Sequence, residues 1–322
     1  MMYSFIELLK KFEDYFNVRQ FPLSPATLYD PAQYILGIGG KRVRPVCVLM
    51  GNELFDDIKE DAYHAAAAVE LFHNFTLIHD DIMDKAPLRR GMQTVHIRYG
   101  EPTALLAGDA AMVQSYVKLS AMAPGLLQEV LPLFNKTALE VCEGQQLDMD
   151  FEQKQTVRLD EYVEMITLKT SVLLAASLKL GSIIGGASKG NRDHLYEFGK
   201  NLGIAFQIQD DYLDAFGDPA KFGKQVGGDI LANKKTFLMI HALETASSSD
   251  KQKLEQLLQS NPSDKVEQVL QIFKHAGVDA WALQLKNEYF EKAMQHLDAI
   301  AVMSKRKEPL MQLAKFLIQR EH

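Results

Sequence analysis

Two stretches decide the fold: Leu71-Phe72-His73-Asn74-Phe75-Thr76-Leu77-Ile78-His79-Asp80-Asp81-Ile82-Met83-Asp84 and Leu202-Gly203-Ile204-Ala205-Phe206-Gln207-Ile208-Gln209-Asp210-Asp211-Tyr212-Leu213-Asp214. Each runs from apolar residues at helix-compatible spacing into the pattern D-D-x-x-D. Helical positions four apart share a face, one turn above the other. Asp80 and Asp84 then point the same way, and so do Asp210 and Asp214. Carboxylates this close repel unless a cation compensates. Hard divalent cations suit such clusters, and Mg²⁺ binds through one or two carboxylates plus substrate phosphates. One copy alone reads equally well as a solvated acidic turn. Two copies that continue buried stripes do not, because an unpaired buried charge is very costly. The pair predicts a metal-bridged phosphate or diphosphate held between two helices.

Outward from these stretches the apolar spacing stays helical, with no run of alternating β-branched residues and hairpin turns. Breaks are expected at 22–31, 37–40, 87–91, 100–102, 124–125, 181–190, 217–228, 247–250 and 261–262. Asn261-Pro262-Ser263-Asp264 reads as a helix start, with Ser or Asp as the cap. No biased linker, low-complexity tract or solenoid period divides the chain. The expectation is all-α: one helical domain over residues 1–322, with its acidic helices facing a central cavity.

The chain has 322 residues, 47% of them hydrophobic, which is enough for a sizeable core. A net charge of −7 argues against general nucleic-acid binding. An acidic protein with an anionic ligand must use metal ions and a local basic patch. Cys47 and Cys142 cannot form a disulfide framework, so a reducing cytoplasm is expected. No segment reads as apolar enough for long enough to span a membrane. Leu8, Leu9, Phe12 and Phe16 make the first segment amphipathic. Packing on the domain is preferred to a membrane-surface role.

The basic patch has several candidates. Gly39-Gly40-Lys41-Arg42-Val43-Arg44-Pro45 ends one helix and opens another, with Pro45 in its first turn. Backbone N–H groups there already favour anions. Arg44 can fork two phosphate oxygens and Lys41 adds a point charge. Arg89 and Arg90 follow the first acidic motif closely enough to curl back over it. Lys169-Thr170-Ser171 interrupts an apolar helix. Lys169 either snorkels to the surface or faces a cavity, the hydroxyls allowing a local kink. Lys224 and Lys234 follow the second acidic motif, either as surface lysines or as part of the same site. Carboxylate clusters, cations and deep apolar surface together predict a ligand with a diphosphate head and a hydrocarbon tail.

These motifs, in this order, make the chain resemble the trans-isoprenyl diphosphate synthases, or polyprenyl synthetases. The resemblance rests on G-G-K-R-V-R-P, H-N-F-T-L-I-H-D-D-I-M-D with R-R-G, A-G-D-A and E-G-Q-Q-L-D. It continues through K-T-S, F-Q-I-Q-D-D-Y-L-D, and G-G-D-I with N-K-K-T. It implies the isoprenoid synthase type I fold (a large helical bundle around a deep central cavity), a homodimer and about two to three Mg²⁺ ions bridging aspartates and diphosphate. By this resemblance Asp80, Asp84 and Asp210 would hold the metal, with Asp81, Asp211 and Asp214 behind them. Arg89, Lys169 and Lys234 would clamp the allylic diphosphate, and Lys224 would be a further catalytic residue. Lys41, Arg44, His73 and Arg90 would hold isopentenyl diphosphate, with Phe206 packed near the isopentenyl group. Gln145, Asp148, Thr170 and Gln207 would line the cavity. His73 has a second reading as a histidine at the edge of the core.

The implied reaction is head-to-tail (1′-4) condensation of isopentenyl diphosphate with an allylic diphosphate, by ionisation, condensation and proton loss. No enzymic nucleophile is needed, and water must be excluded. At about 1.5 Å per residue, Phe75 and Phe72 lie roughly 7.5 and 12 Å below Asp80. In the family a bulky residue at the Phe75 position forms a floor that stops growth early. With the small Thr76 beside it, the pattern is similar to short-chain geranylgeranyl synthases and predicts a product of about fifteen to twenty carbons. Phe75 could instead pack only against a neighbouring helix. Three rival readings remain, of which a helical magnesium-binding scaffold would not explain the ordered basic residues. A class I terpene cyclase would leave Lys41, Arg44 and Arg90 without a purpose. A non-catalytic subunit of a heteromeric synthase would usually lack an aspartate motif, and both are present here.

Overall fold

The helical spacing is realised along the chain. The computed structural model describes residues 2–217 and 226–319. Its fold is all-α, and among the described residues the sheet consists of two strands, Leu88–Arg89 and Met92–Gln93, paired antiparallel. Two compact units emerge. The first takes the residues through 135 with 176–195 and 301–309, and the second takes 136–175, 196–300 and those from 310 on.

The first unit is organised on helix Glu60–Met83. Ala65, Ala66, Ala67 and Ala68 are fully buried, so neighbouring helices can come close. Helices Val43–Glu53 and Glu101–Ser120 pack along it. Glycines bring Val43–Glu53 against residues 176–195. A Cβ at Gly51 would stand 2.3 Å from the Leu178 carbonyl oxygen, and one at Gly181 would stand 2.0 Å from that of Val48. Helix Phe5–Phe16 opens with a Ser4/Glu7 capping box and buries Leu8, Phe12 and Phe16, so its apolar face packs on the unit. The break expected at 22–31 is shorter than read. Helix Ala26–Gly37 runs through Pro31, held by the buried Ala32, Ile35 and Leu36 despite the backbone hydrogen bond that proline costs. The unexpected hairpin turns on Arg90 (φ 52) and Gly91 (φ 77), the two positive φ values that a tight two-residue turn requires.

The second unit buries Tyr162, Ile204, Ile208, Phe237 and Phe273 in one core. Leu159–Ile166, Thr167–Ser171 and Val172–Ile184 form a run whose middle five residues are a π-helical turn. That turn sits against two positions without side chains. A Cβ on Gly144 would lie 2.2 Å from the Lys169 nitrogen, and one on Gly203 would lie 2.8 Å from Ser171 Cα. The interruption read at 169–171 is therefore a widened turn. The same run, Leu159–Ile184, amends the membrane expectation. It is long and apolar enough to span by length and composition, but most of its apolar stretch is buried inside the protein. Asp264 precedes helix Lys265–His275 as expected. Its carboxylate accepts from the Gln268 side chain rather than from a backbone N–H of the first turn.

Candidate active site

The first acidic motif closes helix Glu60–Met83, with Asp84 as the C-terminal cap and its N–H donating to the Asp80 carbonyl at 2.8 Å. Asp80 is half-buried and Asp84 exposed. Asp81 points into the unit and is 2% exposed. It accepts two hydrogen bonds from Arg89, from Nε and Nη2, each at 2.8 Å. This fork holds Arg89 Nη2 3.7 Å from Asp80 Oδ2. The arginine does curl back over the motif, and the middle aspartate fixes it there.

A second group of cations gathers on the loop before helix Val43–Glu53. Arg44 Nη1 donates to His73 Nε2 at 3.1 Å, because a guanidinium has donors only. Arg90 Nη1 donates to the Gly39 carbonyl, and its guanidinium occupies the place that a Gly40 side chain would need. Lys41 is exposed beside them. Burial, then the charges of Arg44, Arg90, Arg89 and Arg42, holds the His73 imidazole well below its usual pKa of 6.5. His73 is therefore neutral and serves Arg44 as an acceptor. Below about pH 6.5 an unfolded chain protonates this ring while the folded one resists, so stability falls as pH drops through that value. In His73→Gln, which keeps an acceptor, melting temperature should depend less on pH below about 6.5.

Below Asp80 the same helix carries an aromatic series. Phe75 and Phe72 have ring centroids 5.5 Å apart, Phe72 meets Phe134 at 5.5 Å, and Phe134 meets Tyr116 at 5.4 Å. Phe72 is 1% and Phe75 8% exposed. The Thr76 hydroxyl donates back to the His73 carbonyl at 2.8 Å, so it presents little bulk.

In the second unit, Asp210, Asp211 and Asp214 lie near the end of helix Lys189–Phe216. Asp211 is the buried one, accepting from the Tyr162 hydroxyl and from Gln207 Nε2, the latter at 2.8 Å. Burial and then the charge of Asp229 push its carboxyl up to about 7. The Gln207 oxygen faces Thr170 Oγ1 at 3.3 Å. Lys169 Nζ, on the π-helical turn, reaches Asp148 Oδ2 at 2.6 Å, one helical turn from Gln145. Asp214 accepts from the Asp229 N–H at 2.9 Å, and Lys234 Nζ stands 3.7 Å from Asp229 Oδ1. Phe206 is half-buried on the same helix as the aspartates. Lys224 lies outside the described residues.

Among the described residues no three His, Cys, Asp or Glu side chains converge as a metal cage. Mg²⁺ does not require one, since it takes one or two carboxylates and completes its shell with water and phosphate oxygens. Asp80 and Asp84, one turn apart, the first half-buried and the second exposed, fit that requirement. Asp210, half-buried on the other acidic helix, offers a further carboxylate.

The sequence profile described as Polyprenyl synthetase matches residues 25–275. The chain belongs to this family. As a polyprenyl synthetase it is 38% identical over 301 residues to the short chain isoprenyl diphosphate synthase of Methanothermobacter thermautotrophicus, covering 93% of this chain and 92% of that protein. It is 37% identical over 302 residues to the geranylgeranyl diphosphate synthase of Sulfolobus acidocaldarius, covering 91% of each. A crystal structure of a geranylgeranyl pyrophosphate synthase superimposes with a TM-score of 0.95 at 40% identity, covering 100% of both chains.

Three residues of this polyprenyl synthetase escaped the reading of its sequence. Tyr162 looked like core spacing, and its hydroxyl supports Asp211. Arg42 stood inside a quoted motif without a role; it is 8% exposed and paired with Glu70. Asp229 stood inside a quoted motif without a role. It joins Asp214 to Lys234.

Proposed function

We propose that this polyprenyl synthetase condenses isopentenyl diphosphate with an allylic diphosphate, head to tail, to a short trans-prenyl diphosphate. The observation that supports the reading is a second group of cations in the first unit. Arg44 bonded to His73 and Arg90 bonded to the Gly39 carbonyl stand besides the Asp80/Asp81/Arg89 group. A cyclase binds one diphosphate and has no use for it.

The allylic C–O bond breaks with its electron pair leaving on diphosphate. The isopentenyl double bond forms the new C–C bond, and a proton passes to the released diphosphate. Mg²⁺ held by Asp80, Asp84 and Asp210 would neutralise the diphosphate and make it a leaving group. Arg89, Lys169 and Lys234 bind the same group, and Lys41, Arg44, His73 and Arg90 bind the isopentenyl diphosphate. Gln207 is oriented by its bond to Asp211, so its oxygen and that of Thr170 form a dipolar pair beside the developing cation. Phe206 would flank the isopentenyl group.

Incubation with Mg²⁺, labelled isopentenyl diphosphate and each allylic diphosphate, followed by sizing of the dephosphorylated products, tests this. The aromatic series supports a floor at Phe75 and Phe72, and hence a product of about fifteen to twenty carbons. Phe75→Ala should shift the product to longer chains. An unchanged product would show that Phe75 only packs against its neighbours. No condensation with any allylic partner would point to the cyclase or the non-catalytic subunit.

The homodimer belongs to the same proposal. On helix Glu101–Ser120 the residues Leu106, Val113 and Val117 are 58%, 59% and 50% exposed, an apolar stripe that a second copy could cover. Light scattering should give twice the chain mass; a monomer mass would refute it. The two free cysteines, Cys47 and Cys142, fit a reducing cytoplasm.

A further inference from the structure

We propose that Lys265 is a positioning residue for the allylic-diphosphate clamp, fixing from inside the second unit the turn that carries Lys234. This rests on the assignment of Lys234 to the allylic diphosphate. Lys265 opens helix Lys265–His275 and is 1% exposed. Its ammonium donates to Asn233 Oδ1 at 2.7 Å and to the Ser260 carbonyl at 3.2 Å. Lysine is almost never buried this deeply unless paired. Among the described residues Lys265 makes no ion pair, and both acceptors are neutral oxygens. A buried charge held by such partners is a poor way to fill a core, where an apolar side chain would serve better. What it does achieve is local order in the loop.

Asn233 has φ 55, a left-handed conformation that a short polar side chain tolerates. The next residue is Lys234, whose N–H donates to the Asp229 carbonyl at 2.9 Å. Lys235, one further on, donates through Nζ to the carbonyls of Phe151 at 2.6 Å and Glu152 at 3.3 Å. Lys234 thus stands between two anchored neighbours, with Asp229 and Asp214 of the acidic group bonded to the same segment. Lys234 itself is exposed on a flexible stem. Its reach is decided by where its backbone is held, and Lys265 holds one side.

Steady-state kinetics of the full chain test this with three variants. Lys265→Met removes the donor. Asn233→Gly removes the acceptor but keeps the left-handed turn at an exposed position, and thermal melts of both variants separate a folding defect from a change in KM. Asn233→Asp keeps both. Lys265→Met and Asn233→Gly should each raise the KM for the allylic diphosphate on the order of tenfold. The KM for isopentenyl diphosphate should stay within about twofold. Asn233→Asp should match the parent. A parent that turns over, with an Asn233→Gly variant unchanged or raised equally in both KM values, would overturn the proposal alone. A parent that condenses nothing would refute the functional reading and this proposal with it.

Discussion

Asp80→Ala should lower turnover at least about a thousandfold, the scale for removing a principal stabiliser of developing charge, and should not lower the melting temperature. The second half of that expectation follows from where Asp80 sits. It lies in the last turn of helix Glu60–Met83, one turn from Asp84. A helix C-terminus carries partial negative charge, so carboxylates there oppose the dipole by about 0.3–1 kcal/mol, and the two also repel each other. Relieving this offsets the loss of the 3.7 Å contact with Arg89, which Asp81 holds in place by itself, so the fold should stay about as stable. Asp81→Ala should behave differently. Asp81 is 2% exposed and forks Arg89, so its loss should cost both turnover and melting temperature. Kinetics across a Mg²⁺ titration, with thermal melts of the same preparations, separate the cases. An Asp80→Ala chain that keeps turnover within tenfold would remove the metal assignment from the first motif.

That contrast within one motif also marks where the sequence stops being legible. Spacing alone put Asp80 and Asp84 on one face, and the helix bears this out. Helical spacing likewise sufficed for the all-α architecture, because apolar stripes are local properties. Partners are not local. The break at Lys169-Thr170-Ser171 could be seen, but its form depends on Gly144 and Gly203 meeting it without a Cβ. The hairpin at Leu88–Arg89 and Met92–Gln93 is too short to leave a period in the sequence. Tyr162 fell into the apolar periodicity because its hydroxyl is informative only beside Asp211. In Gly39-Gly40-Lys41-Arg42-Val43-Arg44 the reading gave roles to Lys41 and Arg44, and only tertiary contacts give one to Arg42. Lys41 is exposed, Arg44 bonds His73, and Arg42 turns inward.

The inward turn of Arg42 leads to the second large effect, a loss of about 3–5 kcal/mol of stability in Glu70→Ala or Arg42→Ala. The two side chains are 5% and 6% exposed and form a buried ion pair. Arg42 also donates to the Leu36 carbonyl at 2.6 Å, and Glu70 accepts from Asn74 Nδ2 at 2.9 Å. Removing either partner leaves the other charge buried without its counterion, which is what makes the single changes severe. Replacing both should not be severe, because a pair of apolar side chains of similar volume is often neutral or better in such a place. Arg42→Met with Glu70→Leu is therefore expected to recover most of the lost stability in urea denaturation. It should not recover the KM for isopentenyl diphosphate. Arg42 has φ 48 and sits at the junction of the Gly39-Gly40-Lys41 loop and helix Val43–Glu53, so its bonds to Leu36 and Glu70 set the course of the backbone between Lys41 and Arg44. Without them the loop keeps its charges but loses their spacing. Recovery of both quantities in the double variant would mean that the pair only fills space. Recovery of stability alone would mean that a buried charge is retained here for the geometry it imposes on Lys41 and Arg44.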